Sequence, residues 1–327
     1  MPPILDRVTT RLLTITALIL AGCGLAGVAL HYLDITSDVV ARFASVTPYL
    51  ILASMIGLLA ALFTRRPVVI GVVAAVVAAG VFTQLPLYLA SAPEPHDDDL
   101  TVFQANLYLG TADVSALART VAEHDVDILT VSELTDSALA QIEKSSIAAQ
   151  LPYSAAYPVA EGGGGTGLFS RYPLENAERL PDFALANVRA ETVVGGRRHA
   201  VYALHPVPPW PEPAWHWETE LARLSDRLWA EQLPLIAGGD FNSTYDHVQL
   251  RRLFAETGTE DAAEQTGAGI VATYPANRAV LPAVLAIDRV LVGPGTGDSG
   301  SGPQATSFER VKIPGSDHHG VIARIRL

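Results

Sequence analysis

The chain has one cysteine, Cys23, in 327 residues. Without a second thiol it is not a disulfide-stapled scaffold. It is also poor in charge. Asp, Glu, Lys and Arg make up 17% of it, against 49% hydrophobic residues. A soluble domain usually carries about 25% charge, so the deficit excludes a disordered chain and points to a concentrated apolar region. Positive charge is scarcest, with 22 basic residues to 34 acidic ones. Five of the basic and three of the acidic residues fall in the first 90 positions, leaving 17 and 31, a formal −14, for the rest. A surface of that sign does not grip nucleic acid by bulk charge, and no stable nucleic-acid partner is expected. Internal repeats are lacking too, and the nearest approach to low complexity is the Gly/Ser-rich loop from Gly293 to Pro303.

What is abundant is uncharged apolar sequence at the front. Leu12 to Leu33, Phe43 to Thr64 and Pro67 to Pro93 contain no Asp, Glu, Lys or Arg. Each is long enough to cross about 30 Å of hydrocarbon as a helix. Transmembrane helices are therefore expected at about 12–33, 43–64 and 67–90, within a membrane anchor spanning 1–93. Leu20-Ala21-Gly22-Cys23 is lipobox-like, but the apolar run continues ten residues past Cys23. Cys23 reads best as a small helix residue, with lipidation as the minor alternative. Arg7 and Arg11 precede the first run, and Arg65-Arg66 separate the second from the third. The positive-inside rule puts both basic clusters in the cytoplasm, and three spans deliver the remainder outside. The expectation is a multi-pass protein of the cell membrane with an extracytoplasmic domain. Its evident partner is the lipid bilayer, and no protein partner is apparent. Residues 94–100 read as a short polar linker to a domain over 101–327.

In that domain the hydrophobic period alternates. Strands are predicted at 101–107, 126–132, 167–170, 187–194, 197–204, 234–238, 286–292, 305–313 and 321–327. Helices are predicted at 113–124, with Asp113 as N-cap, and at 135–150, 218–232 and 246–256. Strands outnumber helices, and the helices fall between them. This favours an α/β fold, a four-layer sandwich of two packed mixed β-sheets flanked by helices.

Polar residues gather where these strands end: Asn106, Glu133, His205, Asp240 with Asn242, Asp288, and Asp317 with His318. Strand ends on one edge converge, and the loops there carry function. Carboxylates at such an edge can hold a hard divalent cation through oxygen. The cation binds phosphate and neutralises charge developing on it. A His beside a buried Asp becomes a good base, and an Asn and a second His can hydrogen-bond phosphoryl oxygens as they gain charge. Singly, each residue has an ordinary structural use: a turn pair for Asp240 and Asn242, an ion-pair partner for Asp288, a strand terminator for His205. Together they describe metal-assisted phosphoester hydrolysis.

From about residue 100 onward the chain resembles the endonuclease/exonuclease/phosphatase family, of DNase I-like fold. The matching pieces stand in the family's order: the strand with Asn106, SEL with Glu133, GLFSRYPL at 167–174, His205, GDFN at 239–242, IDRVL at 287–291 and SDHHGV at 316–321. The resemblance implies Mg²⁺ or Mn²⁺ as cofactor, with Asn106, Glu133 and Asp317 at the metal. It implies that Asp240 and Asn242 bind the attacking water and the scissile phosphate. His318 is then the general base or the phosphate-proximal acid–base group, oriented by Asp288. His205 stabilises the transition state or assists the leaving oxygen. Tyr108 stands where some family nucleases have an acid, so Glu133 is the main ligand of the first half, and one ion or two stays open. His318 rather than His319 is chosen because SDH sets the register.

Three features lie outside that set. Arg171, in SRYP, is a candidate substrate-binding residue, either structural or close to phosphate. Gly162 to Gly165 lacks the Lys-Ser/Thr and helix of a P-loop and reads as a flexible hairpin. Pro206 to Trp217 holds three of the four tryptophans and five prolines. It is either a stiff surface loop or a lip, with Trp210 touching an apolar or sugar part of the substrate or the membrane interface. The family contains enzymes for nucleic acids, lipids and small phosphoesters, and fold does not choose among them. Charge and location favour a lipid-linked or envelope phosphodiester. An extracytoplasmic nuclease acting on DNA or RNA is the alternative, and a catalytically inactive membrane-anchored binding module is the third.

Overall fold

A computed structural model describes residues 7–297 and 302–327. Part of the Gly/Ser-rich stretch, at 298–301, and the first six residues of the anchor lie outside the described residues. The chain divides into two compact units. One holds the residues up to Pro86 together with Tyr245–Val248, and the other holds Leu87–Thr244 and Gln249–Leu327.

The first unit is built on helices α1 (Arg7–Tyr32), α2 (Asp38–Ala44), α3 (Thr47–Thr64) and α4 (Pro67–Gln84). By length and composition α1, α3 and α4 can each cross a membrane. Their ends differ from the sequence expectation. Nothing in Arg7–Arg11 breaks a helix, and α1 includes these residues ahead of Leu12. Residues 43 and 44 belong to the separate α2, and α3 starts at Thr47, with Pro48 in its first turn where the missing N–H costs nothing. Pro86 opens a separate short helix, α5 (Pro86–Leu89), so α4 stops at Gln84. Cys23 sits inside α1, which continues to Tyr32. In α1 the buried positions are Ala17, Ala21, Gly24, Gly27 and His31. A Cβ on Gly24 would stand 2.4 Å from Ser54 Cβ of α3. Small residues at this spacing let helix backbones approach where lipid supplies no hydrophobic drive.

The second unit runs β1 (Leu100–Asn106), α6 (Val114–Glu123), β2 (Ile128–Ser132), α7 (Asp136–Lys144), α8 (Ile147–Gln150), β3 (Tyr153–Tyr157), β4 (Thr166–Ser170), β5 (Glu175–Arg179), β6 (Val188–Val194), β7 (Arg197–Leu204) and α9 (Ala214–Trp229). It continues with β8 (Leu235–Asp240), α10 (Val248–Thr257), β9 (Glu260–Asp261), α11 (Ala262–Gln265), β10 (Asp288–Gly293), β11 (Gln304–Lys312) and β12 (His319–Arg326). The first sheet has the order β11-β12-β1-β2-β4-β3 and the second β5-β6-β7-β8-β10-β9. Each is mixed, because β1–β2 and β7–β8 are parallel and the other pairs antiparallel. A parallel pair needs a long crossover, which α6 and α9 supply. Asp113 caps α6 as expected, accepting from the Ser115 and Ala116 amides.

Strand alternation separates two cores. On β1 and β2, Phe103, Ala105, Leu129 and Val131 join Leu117 and Val121 of α6 and Ile142 of α7. The opposite face turns Leu100, Val102 and Ile128 toward Val188, Val201, Ile236, Val290 and Val292 of the second sheet. Truncating one of these side chains, Phe103→Ala for instance, should cost about 3–5 kcal/mol.

Four local differences have physical causes. The helix expected over 135–150 breaks at Ser145, whose hydroxyl donates to the Ile142 carbonyl and accepts from the Ile147 amide. Helix α9 begins at Ala214 rather than 218, since Pro213 serves as its N-cap. Strands β3 and β5 were not expected. They are sheet edges, and β5 is exposed throughout, so neither shows clear alternation. The expected linker is bonded down: Asp99 accepts from Thr306 Oγ1 at 2.7 Å, and Arg326 donates to the Glu94 carbonyl at 2.6 Å.

Candidate active site

The layer between the sheets changes character along its strands. From Leu100 and Val102, the same face of β1 goes on to Gln104 and Asn106, and that of β2 from Ile128 to Thr130 and Ser132. Opposite, β8 ends at Asp240, which pairs in register with Asp288 at the start of β10. The apolar sandwich thus opens at one end into buried polar side chains. Gln104, Asn106, Asp240, Asp288 and His318 are each at most 4% exposed.

Hydrogen bonds tie this end together. Asn106 donates to Glu133 Oε1 and to Asp240 Oδ2, both at 3.0 Å. The Leu109 amide donates to Glu133 Oε2 at 2.7 Å. Asp240 Oδ1 accepts from the Asn242 amide at 3.0 Å, and Asn242 Nδ2 donates to the Pro206 carbonyl at 3.1 Å. His318 Nδ1 lies 2.8 Å from Asp288 Oδ2, leaving Nε2 3.7 Å from Asp240 Oδ2 and 4.0 Å from Asp317 Oδ1. The ring of Tyr274 packs on His318 at 4.8 Å. His205 Nε2 is 3.9 Å from Asp240 Oδ2, beyond hydrogen-bond reach. Glu133, Asn242, Tyr108 and Leu109 hold left-handed backbone with φ of 59°, 50°, 46° and 52°. Four such non-glycine residues in one place mark a strained site held by its surroundings.

Burial sets the proton affinities. Burial pushes Asp240 up to about 7, with the Asp288 carboxylate adding to the rise and His318 opposing it. Burial also holds His205 down to about 4, so it is neutral at neutral pH. Burial alone would lower His318, but Asp288 and Asp240 outweigh it and raise the ring to about 10. Asp317 is raised, chiefly by burial. The result is a charged imidazole beside a carboxyl that titrates near neutrality. Separated proton affinities of this kind divide acid and base roles.

Of the ten residues singled out from the sequence, this end gathers eight: Asn106, Glu133, His205, Asp240, Asn242, Asp288, Asp317 and His318. His318, and not His319, meets Asp288. Arg171 is a correction. Its predecessor Ser170 pairs with Ile128, so Arg171 lies at the opposite end of β2 from Glu133, about 20 Å away by strand rise. There it bonds Asp125 and Asp127. Trp210 is 61% exposed on the segment that leaves His205. The Pro/Trp segment itself splits, because Trp217 is buried in α9 and donates to Ser243 at 3.0 Å. The glycine run lies in the hairpin loop between β3 and β4, and its last member is closely packed. A Cβ on Gly165 would lie 1.9 Å from the Leu134 carbonyl, so this loop is pressed against the strand end carrying Glu133.

Several contributors had no signal in the sequence. Gln104 Nε2 donates to Asp288 Oδ1 at 3.4 Å, and its Oε1 accepts from Thr130 at 2.6 Å. Ser316 Oγ donates to the Asn106 carbonyl and accepts from the His318 amide, joining the two halves of the site. Asn187 Oδ1 accepts from the His205 amide.

The donors gathered at this end are of the oxygen-rich, acidic kind that a divalent ion takes. Asp240, Asp288 and His318 place ligand atoms within 4.8 Å of one another, but the His318 nitrogen bonded to Asp288 is engaged and the ring is charged. Glu133 and Asp317 offer oxygen only, which a hard cation prefers. Asp317 Oδ1 is a buried oxygen with no hydrogen-bond partner among the described residues, as a ligand atom would be.

A sequence model described as "Endonuclease/Exonuclease/phosphatase family" matches residues 103–318. Among curated proteins no sequence match is found. Solved structures share the fold. D. rerio TDP2 complexed with single-strand DNA product is 15% identical with a TM-score of 0.57, the match covering 71% of this chain and 100% of that one. An endonuclease/exonuclease/phosphatase from Beutenbergia cavernae is 17% identical at 0.53, covering 70% and 72%. A Bacteroides thetaiotaomicron mannosyl-6-phosphatase is 16% identical at 0.50, covering 70% and 100%.

Proposed function

Since the chain belongs to the endonuclease/exonuclease/phosphatase family, we propose that it is a membrane-anchored, divalent-metal-dependent phosphodiesterase acting outside the cytoplasmic membrane. The observation that carries this reading is the Asp288–His318 pair facing Asp240 beside the oxygen donors Glu133 and Asp317.

In the proposed reaction Asp240, whose carboxyl is raised to about 7, takes the proton of the attacking water as the water oxygen bonds to phosphorus; the opposite P–O ester bond breaks, and the leaving oxygen takes a proton from the charged His318 ring. Asn242 fixes the position of that water. The charged His318 ring, oriented by Asp288, faces the phosphoryl oxygens and stabilises their growing charge. His205, neutral and buried, offers a further ring N–H to them. Asn106, Glu133 and Asp317 would hold Mg²⁺ or Mn²⁺, which when bound supplies positive charge to the phosphate and lowers the pKa of water. This assignment refines the sequence expectation for His318: the ring acts as an acid or charge stabiliser, and Asp240 as the base.

A lipid-linked or envelope phosphodiester is the favoured substrate. Three apolar helices in the same chain support it, as does the exposed Trp210 on the segment leaving His205, since Trp favours the lipid–water interface. Extracytoplasmic placement is supported by Arg7, Arg11 and Arg65-Arg66 at alternating ends of successive spans. The second reading is a nuclease. Its support is the fold shared with the TDP2 structure that carries a single-strand DNA product, and the acidic domain weighs against it.

The test uses the full chain in detergent with Mg²⁺ or Mn²⁺ against a bis-aryl phosphodiester, phospholipids, plasmid DNA and RNA, with His318→Ala in parallel. Metal-dependent cleavage lost in the variant is expected, best on a lipid. Preferential cleavage of DNA or RNA would move the reading to a nuclease. Absence of both turnover and metal binding would leave a binding module.

A further inference from the structure

Asp240 and Asp288 face each other as a register pair on β8 and β10. Past Asp240 and ahead of Asp288 the chain is irregular, so their relative placement depends on what ties the exit of β8 to the entry of β10. Arg289 reaches both. Val290 and Val292 join the core between the sheets and Asp288 shares their face, so Arg289 and Leu291 lie on the outer face of β10. From there Arg289 Nη2 donates to the Ser243 carbonyl at 3.3 Å, one residue past Asn242, and to the Ala286 carbonyl at 3.1 Å, two residues ahead of Asp288. Nη1 pairs with Asp261 Oδ2. Asp261 stands opposite Leu291 in the β9–β10 register, on the same face, and its Oδ1 accepts from the Ala263 amide as N-cap of α11. Arg289 and Asp261 are 5% and 1% exposed.

A buried ion pair is a weak source of stability, because an apolar pair of similar size fills the space at no greater cost. Leu291, two residues on and fully buried, shows that this face takes apolar side chains. What an apolar residue lacks is a planar fork that bonds two carbonyls and a carboxylate together. The segment so held needs holding. Asn242 sits at a left-handed φ of 50°, and such a conformation persists only where its surroundings fix it. On one side Asp240 ends β8, bonded to Asn106 and to the Asn242 amide. On the other stands Ser243, whose carbonyl meets Arg289 and whose hydroxyl accepts from Trp217 of α9 and donates to the Phe241 carbonyl. Within the same loop pair the Phe241 amide donates to the Ile287 carbonyl at 3.0 Å.

We infer that Arg289, held by Asp261, is a positioning residue. It ties the chain leaving Asp240 and Asn242 to the chain entering Asp288, and so sets the spacing of the base, the residue that fixes the water and the carboxylate that orients His318. The activity consequence rests on the phosphodiesterase reading; the positional consequence does not.

The full chain in detergent is compared with Arg289→Met, Arg289→Lys and the double variant Asp261→Asn with Arg289→Met, using the bis-aryl phosphodiester and Mg²⁺. In Arg289→Met the buried Asp261 charge loses its partner, and Tm should fall. The double variant leaves no unpaired charge, and Asn keeps an acceptor for the α11 cap, so Tm should return close to the wild-type value. Its kcat should nevertheless stay lowered, roughly tenfold to a hundredfold, with KM changed by about twofold or less. Arg289→Lys keeps a cation beside Asp261 and loses the fork, and should lose about tenfold in kcat. Hydrogen exchange gives the readout that does not depend on substrate. Amides at 241–243 and 287–288 should exchange faster in the double variant and in Arg289→Lys, with β1 and β6 unchanged. Wild-type kcat with unchanged exchange at those amides would overturn the inference, as would a rise in exchange spread evenly over the second unit. Where the double variant stays destabilised, Arg289→Lys decides on the same readings. If the wild type cleaves no phosphodiester, the functional reading fails, and the exchange pattern alone decides the positioning.

Discussion

The two ends of the layer between the sheets share strands and differ in their cations, partly exposed arginines at one end and a buried histidine at the other. At one end Arg171 pairs with Asp125 and Asp127, and Arg326 with Asp99, around a cleft of about 1020 Å³. Arg171 and Arg326 are each about a third exposed there and Asp125 more so, while Asp127 and Asp99 are buried. At the other end Asp288, His318 and Asp240 meet almost out of contact with water. The exposed Arg171–Asp125 pair contributes roughly 0–1 kcal/mol. At the buried end a His set between Asp residues is held at about 10 and one of the carboxyls at about 7. The difference teaches that a titratable cation enclosed with its carboxylates, rather than acid–base pairing as such, makes one end chemically able.

The largest break in that comparison should come from Asp288→Asn. The amide keeps the shape beside His318 and removes the charge. Steady-state kinetics should show kcat reduced roughly a thousandfold, and the His318 ring should titrate well below about 10 by NMR.

A smaller effect sharpens the comparison, because burial without catalytic residues should affect stability alone. Beside the second sheet, Glu231 in the loop after α9 accepts from Arg189 and from Tyr202, with Arg189 also reaching Glu191. Burial would raise the Glu231 carboxyl, but the bonds from Arg189, Tyr202 and the Leu233 amide hold it below its ordinary value. A depressed folded pKa gives stabilisation that is complete above the unfolded value near 4.5 and lost as pH falls through the folded one. Glu231→Gln should cost about 3 kcal/mol at neutral pH and flatten the acid limb of the stability curve, read by denaturant unfolding, while kcat stays put.

The smallest effect is expected for Arg171→Ala: stability within about 1 kcal/mol of wild type and unchanged kcat. A large loss of activity there would return Arg171 to the site.

Much of this was legible in the sequence because it rests on local pattern. The alternation in TVFQANL and VDILTVS marks β1 and β2, and GDFN, IDRVL and SDH mark three strand ends that do converge. What was hidden depends on partners far along the chain. Gln104 reads like any polar residue on a strand, and only the second sheet makes it a donor to Asp288, 184 positions away. For Arg171 the structural reading fits and the phosphate-proximal one does not, because strand direction is not written in composition. Strand β4 runs antiparallel to β2 and carries SRYP away from Glu133. The bond from Arg289 to the Ser243 carbonyl spans 46 positions and leaves no local trace. The edge strand β5 has no core to pattern it.

The central claim is that the buried end binds a divalent cation through Glu133 and Asp317 and works only with it. The most direct test is Mn²⁺ binding to the full chain, followed by electron paramagnetic resonance, in wild type and Glu133→Gln, with phosphodiester cleavage measured on the same samples. Saturable binding in wild type that is lost together with cleavage in Glu133→Gln is the predicted result. Wild-type binding and cleavage in Glu133→Gln would contradict it.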